Sequence, residues 1–129
     1  MIRGCMLVGL FVATIGFCSA QLPNFPKGPP YGKGCGIAGI DPEPRISIET
    51  LVHFRDTAGI FGWLHDSDPV YQAYAVEALI RLQRSGLVIP DTELSRIEKL
   101  RMSTKKVYVC SGCTHFEMPM KDALEMFLD

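Results

Sequence analysis

Cys110 and Cys113, separated only by Ser111-Gly112, are the residues of this chain whose type and spacing could do chemistry. Two cysteines across a turn can close a small disulfide ring, because their α-carbons fall within reach, or can present two thiolates to a metal. Cys35 and His115 would complete a four-ligand zinc set with them, with His53 and His65 in reserve. Met118 and Met120 beside His115 suggest a softer, copper-type set, although both methionines suit core filling equally well. Covalent haem attachment needs histidine directly after the second cysteine, and Thr114 stands there. Thioredoxin-type exchange places its cysteines at the start of a helix, whose dipole lowers the thiol pKa. Here Val107-Tyr108-Val109 precedes the pair and a turn lies within it, which describes a hairpin. The preferred reading is a structural disulfide without a cofactor: Cys110 to Cys113, or Cys35 to one of them. Zinc held by Cys35, Cys110, Cys113 and His115 is the alternative.

The compartment decides whether these thiols oxidise. Arg3 supplies a positive start, the run from Cys5 to Phe17 is apolar but short for a bilayer span, and Cys18-Ser19-Ala20 offers small residues before a cleavage point. Residues 1–20 therefore read as a secretory signal peptide. Lipidation at Cys18 is disfavoured by the bulky Phe17 before it. Cleavage would leave Cys35, Cys110 and Cys113 in a secreted or periplasmic setting that permits disulfides. Three is an odd number, so one thiol stays free, pairs between molecules, or joins the others around a metal.

Composition narrows the partners. The 129 residues are 47% hydrophobic and 21% charged with a formal charge of −1, enough for one small domain and no basic field for nucleic acid or an anionic membrane. No glycine-flanked serine or comparable nucleophile signature gives hydrolase chemistry an anchor. His53, between Val52 and Phe54, reads as a partly buried helix residue without a role.

These residues need elements to hold them. Residues 105–117 alternate as a strand, turn and strand, and Met120, Ala123, Leu124, Phe127 and Leu128 repeat at helical spacing after Pro119. Residues 21–45 carry Pro23, Pro26, Pro29, Pro30, Pro42 and Pro44 among five glycines, and read as a flexible arm attached through Cys35. Ser47 is placed to cap a helix running to about Leu64, with Ile46 and Leu51 as a hydrophobic staple and Gly59 and Gly62 suited to close helix approach. The central element runs from Asp68, a cap, through Pro69 to Gly86, a stop. Its wide apolar arc includes Tyr71, Tyr74, Ala78, Leu79 and Leu82, and Glu77, Arg81 and Arg84 mark its polar side. A third helix is expected over about Asp91–Ser103, its charges forming a solvated face.

The apolar first helix, the link His65-Asp66-Ser67-Asp68-Pro69-Val70, and Ala73, Ala75, Ala78, Leu79 and Leu82 beyond it resemble a single HEAT-type helical repeat over Ser47–Gly86. Tyr71 departs from the arginine such repeats often carry there, and no second copy follows. The resemblance implies a helical hairpin used for binding proteins and implies no chemistry.

The expected fold is mainly α, a compact bundle of about four helices at 46–129 with a small cysteine-bearing β-hairpin. The expected function is an exported protein-binding module, possible as an inhibitor or immunity-type protein, with a protein partner in the envelope or extracellular space. The rival class is redox or metal handling through Cys110 and Cys113. The leader reading predicts that intact mass of the exported protein places the amino terminus at Gln21, partly cyclised; a chain retaining Met1 or carrying lipid on Cys18 would refute it.

Overall fold

The structure, a computed structural model, describes residues 28–36 and 38–128. The expected leader at 1–20 and the first residues of the expected arm lie outside the described residues. In chain order the elements are β1 (Tyr31–Lys33), α1 (Glu43–His53), α2 (Thr57–Leu64), α3 (Pro69–Arg84), α4 (Asp91–Arg101), β2 (Lys106–Ser111), β3 (Thr114–Pro119) and α5 (Met120–Leu128). The strands form one sheet in the order β1-β2-β3. β1 runs parallel to β2 with Gly32 opposite Cys110, and β2 pairs antiparallel with β3, Val109 opposite Phe116.

This arrangement corrects the expected bundle of four helices with a hairpin: the described residues hold five helices and a three-stranded mixed sheet. Both differences have local causes. The third strand comes from the supposed arm, where Tyr31–Lys33 pairs along the edge of β2. The fifth helix appears because the expected helix from Ser47 to Leu64 begins earlier, at Glu43, and breaks in its middle. Arg55 takes a left-handed φ of 51°. Its amide donates to Val52 O at 3.0 Å, and the Asp56 amide donates to Leu51 O at 2.9 Å, a closed Schellman stop. Asp56 then turns from stop to start, its carboxylate accepting from the Gly59 amide at 3.0 Å as the cap of α2.

The corner also explains Gly59, though not as a contact with the central helix. A Cβ there would lie 2.9 Å from the Asp56 carboxylate and 3.1 Å from the Leu51 side chain, so glycine admits the cap; Gly62 faces open space. Ile46, expected as a staple, is instead 56% exposed, because the helix has already made a turn before reaching it.

α3 is the axis. Asp68 accepts from the Val70 amide at 2.9 Å with Pro69 in the first turn. At the other end Leu87 N donates to Leu82 O and Gly86 N to Gln83 O, with Gly86 at φ 105°. Eleven of its 16 residues are buried, which a helix achieves only with neighbours on every side. Those neighbours are α1, α2, α4, α5, β1 and β2. α5 begins where the first amides are already engaged, Met120 N by Lys105 O and Lys121 N by Ser103 O. Met120, Ala123 and Leu124 then bury against the core.

The left-handed Arg55 should be relieved by glycine. Arg55→Gly is expected to raise stability by up to about 1 kcal/mol in urea unfolding, since a left-handed L-residue costs about 1–2 kcal/mol and glycine's extra unfolded-state freedom offsets part of that. Arg55→Ala should give no such gain; a loss with glycine would mean the exposed arginine side chain holds the corner.

Candidate functional site

β2 places Cys110 opposite Gly32, and Cys35, just beyond β1, closes a disulfide onto it with a Cα–Cα distance of 5.7 Å. Around this bond the backbone is also tied: Cys35 N donates to Ile40 O and Gly36 N to Gly112 O, both at 2.8 Å. The approach leaves no room for a side chain at position 32. A Cβ on Gly32 would meet Cys110 O at 2.4 Å and Cys110 Sγ at 2.5 Å. The bond spans 75 residues, so in the chain-entropy account it stabilises by about 4 kcal/mol, well beyond what a ring between Cys110 and Cys113 would contribute.

The proposed metal donors are not brought together as thiolates. Cys35 and Cys110 are joined to each other. His115 lies opposite Cys110 in the sheet, its ring stacked on Tyr108 at 6.0 Å. Among the described residues no group of three or more His, Cys, Asp and Glu is placed to hold a metal ion. The reserve histidines sit elsewhere: His53 ends α1 against the Phe54 ring, and His65 follows α2 with Nε2 2.9 Å from a Glu93 carboxylate oxygen. Met120 is fully buried, and Met118 packs against the same core.

The centre that sequence reasoning missed lies under β1. Glu77, assigned to the polar side of α3, is 2% exposed and paired with Arg45 of α1, itself 1% exposed. Arg45 grips Glu77 through both terminal nitrogens, Nη1 to Oε2 and Nη2 to Oε1, the latter at 3.4 Å. Its Nε donates to Gly32 O at 3.1 Å. Its guanidinium carbon sits 4.8 Å from the Tyr74 ring centre and 5.7 Å from that of Tyr31. Tyr74 fastens the strand from beneath, donating from its hydroxyl to Pro30 O at 2.8 Å and accepting from Gly32 N at 3.1 Å. Tyr31 meets Tyr74 and Phe127 edge-on at 4.8 and 4.9 Å.

Charges continue outward from this centre. Lys33 Nζ stands 4.0 Å from Glu77 Oε1 at the surface, and Glu49 receives Arg45 at 3.6 Å and Arg81 at 2.6 Å. The hydrogen bond from Arg81 holds the Glu49 carboxyl below its ordinary range against a smaller opposing effect of burial. Burial pushes the Tyr74 hydroxyl up to about 12, partly countered by its bond from Gly32. The Tyr31 hydroxyl is raised further by burial and then by the Glu77 charge, and it makes no hydrogen bond of ordinary geometry. Burial alone would lower the Arg45 pKa, but the hydrogen bond and charge of Glu77 outweigh it and raise it. Such groups lock elements together; their protons are held far from neutral exchange.

A different feature faces solvent. Ile46, Thr50 and His53 follow one another along the outer side of α1, and Phe54 at its end is 73% exposed. α2 continues with exposed Ala58 and Gly62 beside half-buried Phe61 and Trp63, and it contains no charged residue. In comparisons with known proteins, the chain matches no family model, no curated protein and no solved structure.

Breaking the buried pair should be costly. Glu77→Gln is expected to lower stability by about 3–5 kcal/mol, because Arg45 is left charged and uncompensated, whereas Arg45→Met with Glu77→Leu should recover most of the loss. Urea unfolding checks this; a loss below about 1 kcal/mol for Glu77→Gln would mean the pair is hydrated and does not anchor the strand.

Proposed function

We propose that this chain is an exported protein-binding module whose contact surface is the outer side of α1 and α2. The observation that carries the reading is the exposure of Ile46 on α1 and of Phe54 at its end, next to exposed Ala58 and Gly62 on α2, a helix with no charged residue. Apolar side chains exposed in sequence on adjoining helices are costly to leave in water and are the usual material of protein interfaces. Ala58 and Gly62 would let a partner's backbone approach, while Phe54 offers an aromatic anchor of the kind that dominates binding energy. The resemblance of Ser47–Gly86 to a HEAT-type repeat supports the same use. The Cys35–Cys110 disulfide is compatible with an oxidising compartment, and among the described residues no helix is long and apolar enough to cross a membrane. An inhibitor or immunity-type protein is one concrete form. Redox or metal handling through Cys110 and Cys113 has less support, since Cys110 is buried and committed to Cys35.

A photo-crosslinking residue placed at position 46 or 54 of the full chain, exported from its native host, tests the surface. Discrete heavier adducts are expected from both positions and not from Lys99, which is exposed on α4. Ile46→Ser with Phe54→Ser should reduce co-purification of the crosslinked partner at least tenfold. Absence of adducts, or equal adducts from position 99, would remove the proposal.

A further inference from the structure

We propose that the Cys35–Cys110 disulfide is a redox latch for β1: its reduction lets residues 28–36 leave the sheet edge and unroofs the Arg45–Glu77 pair, while the helical body stays folded. This does not rest on the binding surface proposed above. Three observations on separate parts of the molecule carry it.

The backbone pairing of β1 is short, and its side-chain and carbonyl contacts with Tyr74, Phe127 and Arg45 exist only while it is seated. The strand pairs over three residues, only to β2, at the edge of the sheet. The segment that returns from it to α1 contains Gly34, Gly36 and Gly39, all at left-handed φ values, so the chain here has much freedom to regain once released. The disulfide lies at the junction of these two parts, on the residue opposite Gly32.

The helical body, by contrast, has its own closures. α3 is capped by Asp68 and stopped at Gly86, and Ala75, Leu79, Ile97, Met120 and Leu124, from three helices, are buried in one core cluster. What residues 30–33 supply is the roof of the ion pair: the Gly32 carbonyl on Arg45, the Pro30 carbonyl on Tyr74, the Tyr31 ring beside the guanidinium, and Lys33 near Glu77. Opening therefore changes the surroundings of two charges and frees the backbone edge of β2 from Val109 to Ser111.

The chemical step is exchange with a dithiol reductant. The Cys35–Cys110 S–S bond breaks, each sulfur ends as a thiol, and the reductant gives up two electrons and two protons as it closes to its own disulfide. Oxidation by a disulfide donor reverses it.

Amide exchange read by mass spectrometry, with and without dithiothreitol under native conditions, tests the latch on the full chain. Reduction should accelerate exchange at Tyr31–Lys33 at least tenfold relative to α3, leave the helical circular dichroism in place, and make buried Cys110 reactive to iodoacetamide. The double variant Cys35→Ser, Cys110→Ser should show the open pattern without reductant, and Cys113→Ser should keep the redox response. Continued protection of β1 and Cys110 after reduction would overturn the proposal, as would loss of helical signal in the reduced protein and the double variant, or a response that disappears with Cys113→Ser.

Discussion

A guanidinium and a carboxylate closed off from water are the constraint on which the rest of this structure depends. Each would cost several kcal/mol to bury alone, and their mutual attraction offsets that only when the remaining donors are also met. Glu77 satisfies two of the Arg45 nitrogens, and the third has one acceptor, the Gly32 carbonyl. That single requirement joins α1, α3 and β1, elements far apart in sequence. It fixes β1 along its length, since a one-residue slip would withdraw the carbonyl and drive a side chain into Cys110. The apolar core sets how much is buried; this pair sets which strand is buried, and in what register.

Much of the α-helical structure follows from local rules, and the exceptions show where such rules stop. Asp68, Pro69 and Gly86 mark α3 because caps and stops act within a few residues. The break at Arg55 could not be read the same way, since the signal for a left-handed stop is glycine and here an arginine fills that place. Glu77 falls on the polar side of the helix pattern, and one charge in such a pattern says nothing of what lies across from it. Its partner is 32 residues earlier, in a stretch whose prolines and glycines suggest only flexibility. One sign of order there is Tyr31, a large aromatic side chain that is fully buried. Cysteine spacing likewise indicated a bond near the hairpin without selecting Cys35 and Cys110, because the choice depends on β1 lying beside β2.

Disulfide and ion pair act on the same strand from opposite sides. The disulfide limits how far the unfolded chain can stray, and its effect grows with the 75 residues enclosed. The pair acts in the folded state, through hydrogen bonds that exist only when β1 is seated. Neither substitutes for the other. A covalent tie at Cys35 leaves Tyr31 free to sit badly, and the ion pair without the tie must hold a three-residue strand at an edge. Gly32 is where the two meet, giving its carbonyl to Arg45 and its missing side chain to Cys110.

This division bears on where function can lie. The strongly perturbed groups, Tyr31, Tyr74 and Arg45, owe their shifts chiefly to burial and to Glu77, and their side chains pack on one another or bond Glu77 and backbone carbonyls. A catalytic group needs access to a substrate and a proton affinity near that of its task, and these have neither. The outer side of α1 and α2 stands in the opposite situation. α1 turns Arg45 and Ile48 inward to build the core, and the same helix turns Ile46 outward, with Phe54 at its end. Because the inner residues fix α1 against α3 and β1, the outer ones are held on a rigid support, which lowers the entropy cost of binding. In the binding role proposed, the buried charges would act indirectly, by holding still a surface they never touch.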